Sequence, residues 1–125
     1  MRSRRDSFTV RRVALLAVCL MLFACRASAA PVVAVRLDVS TKPGTELAFA
    51  PNQVVAPANA RVELAFSNAS TVAHNLVFLS PIDGTTRPIV QPGETDKFGF
   101  NTPAAGNYRF VCSIHEDMSG TLETR

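Results

Sequence analysis

From residue 31 onward the apolar residues recur at every second position in short runs, and Pro or Gly interrupts each run before it reaches helix length. Val33, Val35, Leu37 and Val39 share one parity, and Val62, Leu64 and Phe66 alternate with Arg61, Glu63, Ala65 and Ser67. His74, Leu76 and Phe78 follow the same rule, as do Phe98 and Phe100, then Tyr108, Phe110 and Cys112. A last short run, Gly120 to Thr124, turns Leu122 inward. Pro43-Gly44, Pro57, Pro81, Asp83-Gly84, Pro92-Gly93, Pro103 and Gly106-Asn107 punctuate these runs. Period-two patterning with turn chemistry at this density specifies an all-β sandwich or barrel. The one helical feature expected is a short turn near residues 51–59. No internal repeat, low-complexity segment or interdomain linker is present.

Residues 1–30 read differently. Arg2, Arg4, Arg5, Arg11 and Arg12 lead into an apolar run from Val13 to Ala24, and Ala27-Ser28-Ala29-Ala30 follows. A basic head, an apolar centre and a small-residue exit make a secretory signal peptide. The run of 12 residues is short of the roughly 20 that a membrane-spanning helix needs. The expected organisation is a signal peptide over 1–30, cleaved after Ala29 or Ala30, and one domain over 31–125. The mature form then has no membrane span and works in the periplasm. Ser3-Arg4-Arg5 with Phe8 loosely resembles a twin-arginine export signal. A lipid anchor at Cys25 is a further alternative, against which Phe23 fits badly.

Removing the signal reverses the charge argument. The whole chain carries +3, but six of its 13 basic residues and one of its ten acids lie in residues 1–30. Seven basic and nine acidic residues remain, a net charge of −2 with the histidines neutral. No basic patch is left to argue for nucleic acid.

Cys19 and Cys25 leave with the signal, so Cys112 stands alone where cysteines ordinarily pair. A bound metal would account for it, because a coordinated thiolate is protected from oxidation. After cleavage the remaining histidines are His74 and His115, and the remaining methionine is Met118. Three of these four residues lie in "CSIHEDM", residues 112–118. Side chains alternate along a strand, so Cys112 should point inward with Tyr108 and Phe110, and His74 with Leu76 and Phe78. Two imidazoles, a thiolate and a thioether form the His₂Cys trigonal set with a weak axial methionine that binds copper as a type 1 (blue) centre. Each residue alone has a plainer reading: His74 as a hydrogen-bonded core histidine, Met118 as apolar packing, Cys112 as a small buried hydrophobe. Their joint placement favours the metal. Structural zinc sites close with four Cys or His ligands and make no use of a thioether. A Cys–His nucleophile would need an orienting third group and an oxyanion hole, and the sequence identifies neither. An enzyme is therefore not expected.

Residues 47–120 resemble the small blue copper proteins, or cupredoxins. The likeness lies in His74-Asn75, in the Tyr-x-Phe-x-Cys run ending at Cys112, and in Met118-Ser119-Gly120. The C-x-x-H-x-x-M spacing is the short form seen in amicyanins, whereas plastocyanins and pseudoazurins place more residues before the methionine. The resemblance implies a Greek-key β-sandwich with one copper ion near one end. It also implies that the Asn75 N–H donates to the Cys112 sulfur while its side chain braces the ligand loop, and that His115 is the partly exposed ligand through which electrons pass. Amicyanin loops carry proline on both sides of this histidine, where the present chain has Ile114 and Glu116. Ile114 keeps an N–H that could reach the thiolate, and Glu116 and Asp117 bring acid to a surface that is often apolar in the family.

Together these features predict an exported, monomeric, single-domain copper protein that moves one electron between a redox donor and an acceptor. The alternative is a copper carrier that sequesters or delivers the ion without redox turnover. Electron exchange would pass at His115, beside Glu116 and Asp117.

Overall fold

The computed structural model describes residues 34–125; Val33 and the expected signal segment lie outside them. The described residues contain eight strands and no helix. In chain order these are β1 (Val35–Thr41), β2 (Phe49–Ala50), β3 (Gln53–Ala56), β4 (Arg61–Ser67), β5 (Val77–Phe78), β6 (Thr95–Asn101), β7 (Gly106–Val111) and β8 (Ser119–Thr124). One four-stranded sheet runs β2-β1-β4-β6 and the other β3-β8-β7-β5. The expected Greek-key sandwich is therefore the fold.

The alternation sets which face each strand buries. In β4, Val62, Leu64 and Phe66 are fully buried while Arg61 and Glu63 face solvent. The parallel register of β1 on β4 places Leu37 beside Leu64 and Val39 beside Phe66, and β6 pairs Phe100 with Val62 from the other side. Aromatic edges then join the two sheets. Phe49 meets Phe110 edge-on with ring centroids 5.0 Å apart, and Phe78 lies 4.7 Å from Phe100. Such pairs add to the burial of their own apolar area. Gly120 belongs to this packing, since a Cβ there would run into the Phe110 ring and lie 2.7 Å from the Asn52 carbonyl oxygen.

Two local expectations are corrected. The helical turn near 51–59 is absent: Gln53–Ala56 form β3, whose Val54 and Ala56 point into the core and whose ladder partner is β8. A four-residue strand contains too few alternations to stand out in sequence. Gly106-Asn107 starts β7 rather than making a turn, and the preceding Thr102–Ala105 segment carries the chain round instead.

Candidate metal centre

β7 delivers Cys112. Its ladder with β5 pairs Val77 with Val111 and Phe78 with Phe110, so the residue after Val111 arrives beside the segment that precedes β5. That segment is His74-Asn75-Leu76. All three are buried, so the expected inward turn of His74 is present. Asn75 breaks the alternation, because its side chain is buried for bonding rather than packing.

The loop from Cys112 to Met118 is closed by its own backbone: the Cys112 N–H donates to the Met118 carbonyl at 3.0 Å. Asp117 takes a left-handed conformation, φ 67°, which a short polar side chain tolerates and which tightens the turn back to Met118. Asn75 fastens the loop from outside. Its Oδ1 accepts from Ser113 N–H at 2.8 Å, and its Nδ2 donates to Ser113 Oγ at 2.7 Å and to the Pro88 carbonyl at 3.1 Å. The side chain thus ties the Cys112–Met118 loop to the His74 segment and to Pro88.

Three donors converge at the end of the sandwich. Cys112 Sγ lies 3.7 Å from His74 Nδ1 and 3.6 Å from His115 Nδ1, and the three atoms lie within 4.8 Å of one another. The imidazole rings are 4.6 Å apart, inclined by 48°. Bonds of about 2.0 Å to nitrogen and about 2.3 Å to sulfur, splayed by about 120°, would separate the donors by about 3.7 Å. The two sulfur–nitrogen distances agree with that separation. Burial, helped by the neighbouring His115, holds the His74 imidazole below its ordinary pKa of 6.5. The ring therefore stays neutral at neutral pH and keeps a lone pair to offer.

His74 and Cys112 are buried and His115 is partly exposed, so the site opens to solvent only on the loop side. Met118 is buried in the core cluster at the loop's end. Glu116 and Asp117 are exposed beside His115, but so is Ile114, with Ile89 and Val72 exposed in the flanking segments. The surface around the loop histidine is thus mixed, apolar as well as acidic.

A family profile for the cupredoxin-like domain matches residues 12–122. The chain belongs to that family. The cupredoxin-like domain places its His74–Cys112–His115 cluster as a candidate site for one copper ion. Among solved structures it is similar to auracyanin A, a "blue" copper protein from the green thermophilic photosynthetic bacterium Chloroflexus aurantiacus. Identity is 23%, TM-score 0.63, with 74% of this chain and 100% of that one covered. Auracyanin B is 25% identical, TM-score 0.64, over 78% of this chain and 93% of its own. A reduced amicyanin variant is 16% identical, TM-score 0.51, over 79% and 88% of the two chains. No curated protein sequence matches.

Sequence reading missed Asn68, Thr86, Pro88 and Val90, which border the His74 segment. Asn68 in "SNAS" does read as a turn residue, and its Oδ1 accepts from the Ser70 N–H two residues on. Nothing in the sequence showed that its other end crosses to Val90.

Proposed function

We propose that this cupredoxin-like protein is an exported carrier of single electrons, with His74, Cys112 and His115 as strong copper ligands and Met118 as the weak axial one. The observation that carries the reading is the approach of both Nδ1 atoms to one buried sulfur, at 3.7 and 3.6 Å. Bound copper would supply a Cu(II)/Cu(I) couple, with the soft sulfur ligands favouring Cu(I) and the imidazoles serving both states.

The chain's own residues supply the rest. Burial of His74 and Cys112 keeps water from the sulfur, and the Asn75 bridge holds the loop, so little has to move when the charge of the site changes. His115, partly exposed, offers the short path to a partner docked on the loop. Residues 1–30 direct export and are removed, and the mature domain acts as a monomer between a protein donor and a protein acceptor. The auracyanins and amicyanin share the fold, and the description of auracyanin A as a blue copper protein agrees with the copper assignment.

The test is a visible and electron-spin-resonance spectrum of the purified exported form after adding Cu(II), with the mass of its N-terminus. One equivalent of copper should give an intense blue charge-transfer band from the Cys112 thiolate. Cys112→Ser should abolish it, because a hydroxyl is a hard and poorly donating substitute. An intense band that survives in the variant would sink the assignment. Transfer of copper to an acceptor protein without reversible reduction would establish the carrier alternative.

A further inference from the structure

Metal-binding histidines almost always donate their second ring N–H to a carboxylate, a carbonyl or water, and that bond fixes the plane of the ring. His74 departs from this. Its Nε2 is buried and has no hydrogen-bond partner among the described residues. The aim of the ring must then come from packing and from the backbone that carries it.

That backbone is held at one point. His74 lies outside the named strands and forms an isolated bridge with Val90. His74 N–H donates to the Val90 carbonyl at 3.1 Å, and Val90 N–H donates to the His74 carbonyl at 2.9 Å. The Val90 carbonyl also accepts from Asn68 Nδ2 at 2.8 Å. The other hydrogen of the same amide reaches the Val72 carbonyl at 2.8 Å. One side chain thus grips both the bridge partner of His74 and the residue two places before it.

Asn68 is itself immobilised. It is 1% exposed, and its Oδ1 accepts from Ser70 N–H, Ser70 Oγ and Thr41 Oγ1 at 3.0, 2.9 and 3.2 Å. Its own backbone bonds to the 93–94 turn on both sides, N–H to the Glu94 carbonyl and carbonyl to Gly93 N–H. The residue sits directly after β4, so the rigidity of the first sheet passes through this amide to the ligand segment.

We propose that Asn68 is a positioning residue for the copper site: its amide NH₂, through Val90 and Val72, sets where His74 presents Nδ1 and thereby tunes the reduction potential. The proposal rests on the copper reading above. A histidine freed to shift lets the site relax toward the tetragonal arrangement that Cu(II) favours. Loss of the amide donors should therefore stabilise Cu(II) and lower the potential without removing copper.

The test compares Asn68→Asp and Asn68→Ser with Thr41→Val in copper-loaded protein. The two Asn68 variants lack the NH₂ donor, and the serine variant adds no charge if the aspartate folds poorly. Thr41→Val breaks the same polar cluster on the side away from Val90, removing the hydroxyl that accepts from Ala69 and Ser70 N–H and donates to Asn68 Oδ1, while the two bonds from Ser70 to that oxygen and both amide NH₂ bonds stay in place. It serves as the control for a weakened cluster in which the NH₂ donors are kept. Copper stoichiometry, visible and electron-spin-resonance spectra, potential and urea midpoint are measured for each. We expect stoichiometric copper, a shifted band and a lowered potential in the Asn68 variants, with Thr41→Val destabilised but spectroscopically unchanged. Unshifted spectra and potentials at Asn68, or equal shifts in Thr41→Val, would overturn the proposal. A wild-type protein that takes up copper without the blue band would instead overturn the copper reading, and this proposal with it.

Discussion

Each donor residue sits in a different environment, and its substitution should fail in a different way. Cys112 is the junction of the two imidazoles, whereas Met118 joins the site through its place at the loop end, where its carbonyl takes the Cys112 N–H. That backbone bond survives any change of side chain. Met118→Gln should therefore keep the loop closed and copper bound while lowering the reduction potential, since an amide oxygen favours Cu(II) over Cu(I). Cyclic voltammetry of the variant decides it; a raised potential, or loss of copper, would contradict an axial role. Residue chemistry was the most legible level in the sequence. In residues 31–125, four such side chains without a spare, three of them in one heptapeptide, announce themselves. The groups that hold them do not, because Asn68, Thr86 and Val90 act through ordinary amide, hydroxyl and carbonyl bonds that leave no pattern along the chain.

Among the elements, the long strands could be read, and of the short ones only β5, which lies inside the His74–Phe78 alternation. β1, β4 and β7 bury alternate apolar side chains over six or seven residues, enough repeats to reveal the period. β2 and β5 have two residues each and exist because a neighbouring strand recruits them. The ligand loop is a similar case, ordered by its contacts rather than by propensity. Asn75→Ala removes three hydrogen bonds and leaves Ser113 N–H and the Pro88 carbonyl without their partner. Ser113 and Pro88 are exposed, so water can replace the lost partner and each bond is worth about 0.5–1.5 kcal/mol net. The variant should unfold at lower urea and release copper faster to a chelator, with the metal-free form more tolerant than the loaded one in its overall fold. An unchanged release rate would show that the loop holds its shape without the bridge.

At the scale of the whole domain, charge and chain order set the remaining behaviour. Lys42 pairs with Glu46 and Arg87 with Glu94, whereas Glu116 and Asp117 form none of the ion pairs found among the described residues. They give the His115 face a negative potential that reaches about 10 Å at 0.1 M salt and would raise association rates with a basic partner. Stopped-flow rates with the redox partner should fall as salt rises, and Glu116→Gln with Asp117→Asn should flatten that slope. Equal slopes would make the pair ordinary surface. Chain order has a separate effect. β8 is the last of the described strands in chain order, yet it lies inside its sheet, between β3 and β7, and its bond partner β3 precedes it by more than sixty residues. Contacts this distant in sequence close late. A polypeptide emerging N-terminus first will have released His74, Cys112, His115 and Met118 before the strand that clamps them exists. A chain stopped after Met118 should accordingly contain every donor and give no blue band with Cu(II). Copper binding should therefore follow the release of β8, with the metal sealing a formed sandwich instead of seeding it.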